Sequence, residues 1–313
     1  MADVVCLGIL VADVWGRPVN DWPERGRLSL VNEIGIGVGG CAANTGVALT
    51  KLGGDVAIMG KVGVDGFGDF VTNTLHEAGA DISGVVRDPE VGTSATLVMI
   101  DDAGERTFIH YPGANARLKP EELDLALVKS ARIFHLAGSS LMPGFDGAPA
   151  ASVLKAAQEA GVTTCVDTAW DATGQWMSLL GPQFEYADIF LPSFSEAVEL
   201  TGLKEPREVA AALLDLGPKI VALKMGEEGS YVRTADTELR VPAFKITPVD
   251  GTGAGDAFVA GFLRGVLEGW DLERTATFAN AAGGLCAAGL GTSAGLRDLE
   301  GTLAFIAEQG RGN

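Results

Sequence analysis

The amino-acid sequence predicts an α/β protein, with a three-layer α/β/α arrangement, a mostly parallel central sheet and a small β lid. From residue 121 onward, short apolar segments alternate with helical stretches, which is typical of a parallel sheet covered on both faces. Two regions, residues 14–36 and 94–112, fall outside this rhythm. The chain has 313 residues, of which 47% are hydrophobic, so we expect residues 1–313 to form one large domain.

The elements of the main domain follow one another in chain order. Short apolar runs predict strands at residues 4–9, 55–62, 133–136, 162–166, 189–191, 220–223, 230–233 and 237–241, with a further extended segment at 244–246. Apolar residues at helical spacing predict helices at 41–52, 121–130, 148–160, 195–202, 207–216, 256–267, 272–289 and 298–308, and one more that ends near residue 78.

The two regions outside the rhythm predict the lid. Residues 14–36 contain alternating apolar positions, which indicate two exposed strands and a turn. Residues 94–100 and 106–111 alternate around Asp101 to Gly104, which indicates a hairpin. Because such short strands cannot bury a face alone, we expect the two regions to pair, and then to close over a substrate or to pack across a homodimer.

The net charge and the cysteine content indicate which kinds of partner the protein binds and in which cellular compartment it works. The net charge of −18 argues against binding to nucleic acid or to a membrane surface. The four cysteines have no metal-binding or disulfide spacing, so we expect a reducing cytoplasm, and we interpret the three histidines as structural. The start of the chain lacks the positive region of a signal peptide, and no apolar run reaches about 18 residues, the length of a membrane span.

The most informative stretch runs from Val249 to Phe258. Three glycines at 251, 253 and 255 form a turn that opens a helix, and the first N–H groups of a helix, together with its dipole, bind anions. Asp256 lies at this helix start. A carboxylate that accepts a hydroxyl proton, beside N–H groups that stabilise phosphoryl oxygens, is the pairing that phosphoryl transfer needs. The alternative is a plain turn in which Asp256 only caps the helix.

A second glycine-rich turn comes earlier in the chain. Gly39 and Gly40 enter a helix near Cys41, and Asn44 follows one turn later. Asp13 comes just past the end of the first strand, where α/β proteins place ligand-binding groups. These groups suit a pocket for substrate oxygens, although a tight turn with a solvated Asn44 fits equally well at this point.

In combination, these motifs resemble the ribokinase-like carbohydrate kinase family, also called the PfkB family. The resemblance rests on Gly39-Gly40-x-x-x-Asn44, on Gly63-x-Asp65-x-x-Gly68 and on Asp250-Gly251-Thr252-Gly253-Ala254-Gly255-Asp256. It covers essentially the whole chain, and the first and last motifs occur in the family's order, about 200 residues apart.

The resemblance implies a role for each matching position. Asp256 is the expected catalytic base, and the anion hole is formed by the N–H groups of Gly253, Ala254, Gly255 and Asp256. Substrate hydroxyls are expected to bind at Asp13, Gly39, Gly40 and Asn44. The nucleotide is expected at the turn from Lys224 through Gly226 to Gly229, with Asn280 near the adenine. Metal sites are implied at Glu196 for Mg²⁺, and at Asp250 and Thr252, with the loop near Gly291, for K⁺.

The sequence departs from the family pattern in two places. Ser193 stands where the family often has an asparagine, three residues before Glu196, which affects the expected phosphate contact. Cys41 and the segment from Gly138 to Ser140 stand where ribokinases carry a lysine and an acidic sugar ligand. The second departure argues against ribose as the substrate.

The resemblance therefore implies an ATP-dependent kinase that uses Mg²⁺ and phosphorylates a hydroxymethyl group of a small sugar or polyol. Within the family, a nucleoside kinase is the first alternative, with stacking aromatics available at Trp15, Trp22, Phe108 and Tyr111. A phosphosugar kinase is the second, with Arg17, Arg25, Arg27 and Arg106 as the available cations. A non-catalytic sugar or nucleotide sensor is disfavoured because Asp256 and the anion-hole glycines are retained.

Overall fold

The structure is a computed structural model, and it describes residues 2–310. Its centre is a nine-stranded sheet in the order β13-β12-β11-β10-β9-β8-β1-β4-β5. The strands from β5 to β11 in this order are parallel, whereas β12 and β13 add an antiparallel edge. The strands are β1 (Val4–Gly8), β4 (Val56–Gly63), β5 (Asp81–Asp88), β8 (Ile133–Ser139), β9 (Thr163–Thr168), β10 (Ile189–Phe190), β11 (Ile220–Lys224), β12 (Ser230–Arg233) and β13 (Glu238–Val241).

Helices cover both faces of this sheet and give the three layers. Alternating strand residues point to opposite faces, so that Val4 packs in one core and Val5 in the other. The first core is closed by α1 (Cys41–Lys51), α2 (Gly66–Glu77), α8 (Ala254–Glu268), α9 (Leu272–Ala287) and α10 (Leu299–Glu308). The second is closed by α3 (Leu125–Ser130), α4 (Ala148–Glu159), α5 (Trp176–Phe184), α6 (Phe194–Thr201) and α7 (Pro206–Leu214).

A second, four-stranded sheet in the order β3-β2-β6-β7 is here called the lid sheet. It consists of β2 (Val11–Arg17), β3 (Glu33–Gly39), β6 (Ala95–Ile100) and β7 (Arg106–Tyr111). Its central pair β2–β6 is parallel, and the outer pairs are antiparallel. Large apolar side chains are exposed on the lid sheet and its 18–32 loop, among them Trp22, Leu28, Leu30, Ile34 and Phe108.

The predicted α/β/α fold and the pairing of the two lid regions are confirmed. Two elements escaped the sequence analysis. Strand β5 is half-exposed at the sheet edge and lacks a continuous apolar run, and α5 contains Pro182, a residue that argues against a helix interior. Two predictions were wrong in detail. The helix expected at 121–130 begins only after Asp124, whose carboxylate caps the N–H groups of Ala126 and Leu127, and residues 244–246 belong to no strand.

Within residues 2–310, none of the helices is both long and apolar enough to cross a bilayer.

Candidate active site

The glycine-rich turn predicted from the sequence leads directly into α8. Gly253 precedes the helix with a φ of 76°, and a Cβ at this position would lie 2.5 Å from the carbonyl oxygen of Thr292. Only glycine fits such a left-handed position so close to another backbone segment. No side chain caps the helix. Its N-terminal end is therefore shaped by the backbone alone.

This uncapped end contains the N–H groups that were predicted to form the anion hole, and one of them, that of Ala254, already has an acceptor. The N–H of Ala254 donates to the carbonyl of Gly251 at 3.2 Å within the turn. Gly255 and Asp256 belong to the first helical turn, whose N–H groups have no acceptor inside a helix, and the helix dipole adds partial positive charge there. The end of α8 therefore has the properties of an anion site.

Asp256 is held at this end by a side chain from the other glycine motif. Nδ2 of Asn44, on α1, donates to Oδ2 of Asp256 at 2.8 Å, a contact between residues 212 positions apart. Burial raises the pKa of Asp256, although Asn44, Lys224 and Cys41 oppose the rise. The two motifs that the sequence analysis singled out thus meet at one carboxylate.

The predicted substrate end consists of Asp13, Gly39, Gly40 and Asn44, and the first three lie close together. Gly40 precedes α1 with a φ of 95°, and a Cβ there would lie 2.3 Å from the carbonyl oxygen of Ile9. A Cβ on Gly39 would lie 2.0 Å from Oδ2 of Asp13, so the carboxylate rests directly on that glycine. The two glycines therefore permit the close approach of Asp13 and the first helix.

Two further residues, which the sequence analysis did not select, stand beside Asp13. Burial raises the pKa of Asp13, and a hydrogen bond from Thr96 and the charge of His110 oppose the rise. Oγ1 of Thr96 lies 3.1 Å from Nδ1 of His110. The side chains come from three neighbouring strands, β2, β6 and β7, and only the pairing of the lid strands brings them together.

Lys224, at the start of the predicted nucleotide turn, extends its side chain toward β9 and α8. Its Nζ donates to Oδ1 of Asp167 at 2.8 Å, and a methyl group at position 255 would lie 3.7 Å from the same Nζ. Burial lowers the pKa of Lys224, but Asp167, Glu196 and Asp256 outweigh that effect and raise it above its ordinary value. The side chain is thus an ammonium beside the anion-hole turn. Asp167 was missed in the sequence analysis; it lies on β9, one residue before the end of that buried strand.

The turn after Lys224 has the backbone shape that its glycines suggested. Gly226 and Gly229 have φ angles of 59° and 94°, and a Cβ on Gly229 would lie 2.1 Å from the carbonyl oxygen of Val241. Nδ2 of the buried Asn280 donates to that same carbonyl at 3.0 Å. Asn280 therefore supports the strand beside the turn, and its contact with a nucleotide stays a prediction.

Ser193 and Glu196 form a capping box at the start of α6. Oγ of Ser193 accepts from the N–H of Glu196 at 3.3 Å, and the N–H of Ser193 donates to Oε2 of Glu196 at 2.8 Å. Oγ1 of Thr168 donates to the same Oε2 at 2.8 Å. Both bonds to this buried carboxylate thus fall on one oxygen. A single carboxylate, together with substrate phosphates and waters, is a common magnesium ligand set, so Glu196 fits that role.

The residues predicted to bind K⁺ are in contact with a side chain of the lid sheet. Oδ1 of Asp250 accepts from the N–H and Oγ1 of Thr252 at 2.9 and 2.7 Å, and Oδ2 accepts from the N–H of Gly291 at 3.0 Å. Arg106 on β7 forms an ion pair with Asp250 at 2.8 Å. Burial acts to raise the pKa of Asp250, but these bonds and the Arg106 charge hold it below its ordinary value. Among residues 2–310, no group of three His, Cys, Asp or Glu side chains is placed to hold a metal ion.

Comparisons with known proteins identify the family of the chain. Residues 1–299 match the model of the pfkB family carbohydrate kinases. Probable fructokinase-5 of Arabidopsis thaliana is 34% identical over 84% of this chain and 87% of that protein. The ATP-dependent ribose-1-phosphate kinase of Halopiger xanaduensis is 34% identical over 92% of each chain. The structure of Arabidopsis thaliana ribokinase complexed with ribose and ATP superposes with a TM-score of 0.87, at 25% identity, over 97% of this chain and 98% of that one. The resemblance predicted from the sequence is confirmed: the chain belongs to the pfkB family of carbohydrate kinases.

Proposed function

We propose that this protein transfers the γ-phosphoryl group of ATP to a hydroxymethyl oxygen of a small sugar or polyol. The observation that carries the proposal is the 2.8 Å bond from Asn44 to Asp256 at the uncapped end of α8. It joins the motif expected to bind the sugar to a carboxylate that lies beside unpaired helix N–H groups. A base and an anion site in contact are what transfer to an alcohol requires.

In the proposed reaction, Asp256 accepts the proton of the hydroxyl group as its oxygen attacks the γ-phosphorus. A bond forms between that oxygen and phosphorus, the bond from phosphorus to the β–γ bridging oxygen breaks, and ADP leaves. The N–H groups of Gly255 and Asp256 donate to the phosphoryl oxygens, where negative charge develops. Glu196 would help to hold Mg²⁺, and the ion would supply neutralising charge on the phosphates. Gly253 supports the turn, while Gly226, Gly229 and Asn280 frame the proposed nucleotide side.

The substrate end favours a neutral sugar or polyol. Asp13 is an acceptor for hydroxyl groups, and Thr96 and His110 lie beside it. A phosphorylated sugar would need several free cations. Arg17 and Arg106 are paired with Glu33 and Asp250, and the exposed Arg27 lies 3.8 Å from Glu24. Of the four candidate arginines, this leaves the exposed Arg25 without an ion pair among residues 2–310. The relatives are named fructokinase and ribose-1-phosphate kinase, so the experiment below includes both neutral sugars and sugar phosphates as acceptors.

Four further parts of the proposal concern the protein as a whole. Residues 1–313 act as one domain, with segments 14–36 and 94–112 as a lid that excludes water from the site. The exposed apolar side chains of the lid support a homodimer formed through it. The four cysteines, all unpaired, suit a reducing cytoplasm. K⁺ would bind at Asp250 and Thr252 once Arg106 moves away from the carboxylate.

The experiment is a panel of acceptors assayed with MgATP, in which ADP release is measured and the phosphorylated product is identified by ³¹P NMR. The panel contains hexoses and pentoses, polyols, nucleosides and sugar phosphates. The proposal expects ADP release that depends on a neutral sugar or polyol, and a phosphomonoester on its hydroxymethyl carbon. Activity only with nucleosides or sugar phosphates would select one of the alternatives, and an absence of acceptor-dependent ADP release would contradict the kinase assignment.

A further inference from the structure

A buried ion pair lies beside the anion-hole turn. Lys224, at the end of β11, and Asp167, on β9, have side chains that are 14% and 1% exposed, and Nζ lies 2.8 Å from Oδ1. An ammonium group has three hydrogens to donate, and Asp167 takes one of them. The pair therefore fixes a positive charge in the protein interior while leaving part of its hydrogen-bonding capacity for another acceptor.

The charge is placed against the first turn of α8. A methyl group at position 255 would lie 3.7 Å from Nζ of Lys224 and 3.9 and 4.0 Å from its Cδ and Cε. The lysine stem thus lies within contact distance of the place that a side chain at position 255 would occupy. The ammonium therefore lies close to the first turn of α8, and an ammonium group and a helix N-terminus both attract anions.

The stability of the fold is a weak explanation for the burial of Lys224 next to Asp167. Asp167, Glu196 and Asp256 all act electrostatically on it. Its charge also acts on Cys41, on Cys165 and on the core histidine His135, whose pKa burial lowers to about 3. Removing a lysine and a carboxylate from water costs energy that their attraction often fails to recover, so a buried pair is weak evidence for stability alone. A ligand that carries negative charge would give the remaining donors of Lys224 an acceptor.

We propose that Lys224 donates a hydrogen bond to the transferring γ-phosphoryl group and that Asp167 is the positioning residue that holds it there. This inference rests on the proposed phosphoryl transfer and adds no covalent step to it. The phosphorus–oxygen bonds form and break as described above, the hydroxyl proton goes to Asp256, and Lys224 keeps its protons throughout.

The chain contains a matched control for this pair. Lys61 is also buried, and its Nζ lies 3.0 Å from Oδ2 of Asp88 and 2.6 Å from Oε1 of Glu122. It also donates to the carbonyl of Arg117. None of these partners belongs to the candidate site, so replacing Lys61 breaks a buried lysine pair of the same kind without touching the proposed phosphate contact.

The test measures equilibrium binding of adenylyl imidodiphosphate, a non-hydrolysable ATP analogue, and of ADP, both with Mg²⁺, to the full chain. Lys224→Met is expected to weaken binding of the analogue by about 10- to 100-fold, the usual value of a charged hydrogen bond, and to change ADP binding by less than about twofold. Asp167→Asn should shift the ratio of the two affinities in the same direction, and Lys224→Arg should largely preserve it. Lys61→Met should leave the ratio unchanged, whatever it does to thermal stability.

Each outcome decides something. If Lys224→Met leaves the ratio of affinities at its wild-type value, as Lys61→Met does, Lys224 is a structural ion-pair partner and the inference is wrong. If the Met variant does not fold, Lys224→Gln gives the same comparison, because it keeps a donor for Asp167 but no charge. A wild-type protein that binds neither nucleotide would contradict the proposed function itself, and the inference with it.

Discussion

The two ends of the candidate site differ in how far they are enclosed. At the α8 end, charged side chains from several elements lie close together and largely buried. At the lid end, Asp13 and its neighbours lie on a small sheet that leaves large apolar side chains exposed to solvent. Asp256 and Lys224 are positioned by Asn44 and Asp167 before any ligand binds. Asp13 rests on Gly39, and His110 beside it is exposed. The first end is organised by hydrogen bonds between its side chains, whereas the second is partly open to solvent.

This difference suggests that the two ends contribute to different steps, the α8 end to the transfer reaction and the lid end to binding of the sugar. Pre-organised donors and bases act on the transition state, because they need no rearrangement at the moment of reaction. Groups that face a ligand on an exposed sheet act on binding of the ground state as well. Substitutions at the α8 end should therefore change the rate constant, and substitutions at the lid end should change the affinity for the sugar.

The largest effect is expected for Asp256→Asn, which keeps the shape and the contact with Asn44 but removes the base. Loss of a general base typically lowers kcat by about 10²–10⁴-fold, and ATP affinity should change little. Steady-state kinetics and nucleotide titration measure the two quantities. A variant that retains more than about a third of the wild-type kcat would show that Asp256 is not the general base. It would also contradict the expectation that the α8 end controls the rate and the lid end controls sugar affinity.

A smaller effect, of a different kind, is expected for Asp13→Ala. The loss of a charged acceptor for sugar hydroxyls should raise the KM for the sugar by roughly 10- to 100-fold, while the KM for ATP stays close to the wild-type value. The measurement is a matrix of initial rates over both substrates. A rise in the KM for ATP alone would place Asp13 on the nucleotide side.

The ion pair between Arg106 and Asp250 joins the two ends, and breaking it should have a modest effect. The Arg106 side chain is 30% exposed, and pairs of this kind contribute up to about 1 kcal/mol, so Arg106→Gln should lower kcat/KM for the sugar by up to about fivefold. The control is Arg17→Gln, which breaks the Arg17–Glu33 pair within the lid sheet and should leave kcat/KM unchanged. Equal effects of the two substitutions would show that the lid does not act through Asp250.

The smallest effects are expected at Ser193. Ser193→Ala removes a helix cap and should lower the free energy of unfolding by about 1 kcal/mol, as measured by denaturant titration. Ser193→Asn keeps a good cap and reaches further, so it should tighten MgATP binding a few-fold through one added hydrogen bond. Glu196→Gln should raise the Mg²⁺ concentration needed for half-maximal rate. An unchanged response to ATP and Mg²⁺ in all three variants would remove this segment from the nucleotide site and leave only its role as a cap.

The sequence predicted the layered fold and the lid pairing because both depend on apolar periodicity, which is local. It also pointed to Asp256 and Asn44, because glycine turns mark their positions. It did not reveal that Asn44 bonds to Asp256, since nothing in either motif encodes a contact across 212 positions. Asp167, Thr96 and His110 were missed for a related reason: each lies on or at the end of a strand and is ordinary in sequence, and only strand order brings it to the site.

The central claim, that the Asp256 carboxylate accepts the hydroxyl proton, is tested most directly by the pH dependence of kcat. The base acts only when ionised, and burial raises its pKa above the ordinary value of about 3.9, so the wild-type rate should be lost on the acid side at a higher pH than an ordinary aspartate would give. In Asp256→Asn, the low residual rate should show no such loss over the same range. A wild-type rate that stays constant down to the ordinary range, or the same acid limb in both proteins, would contradict the account.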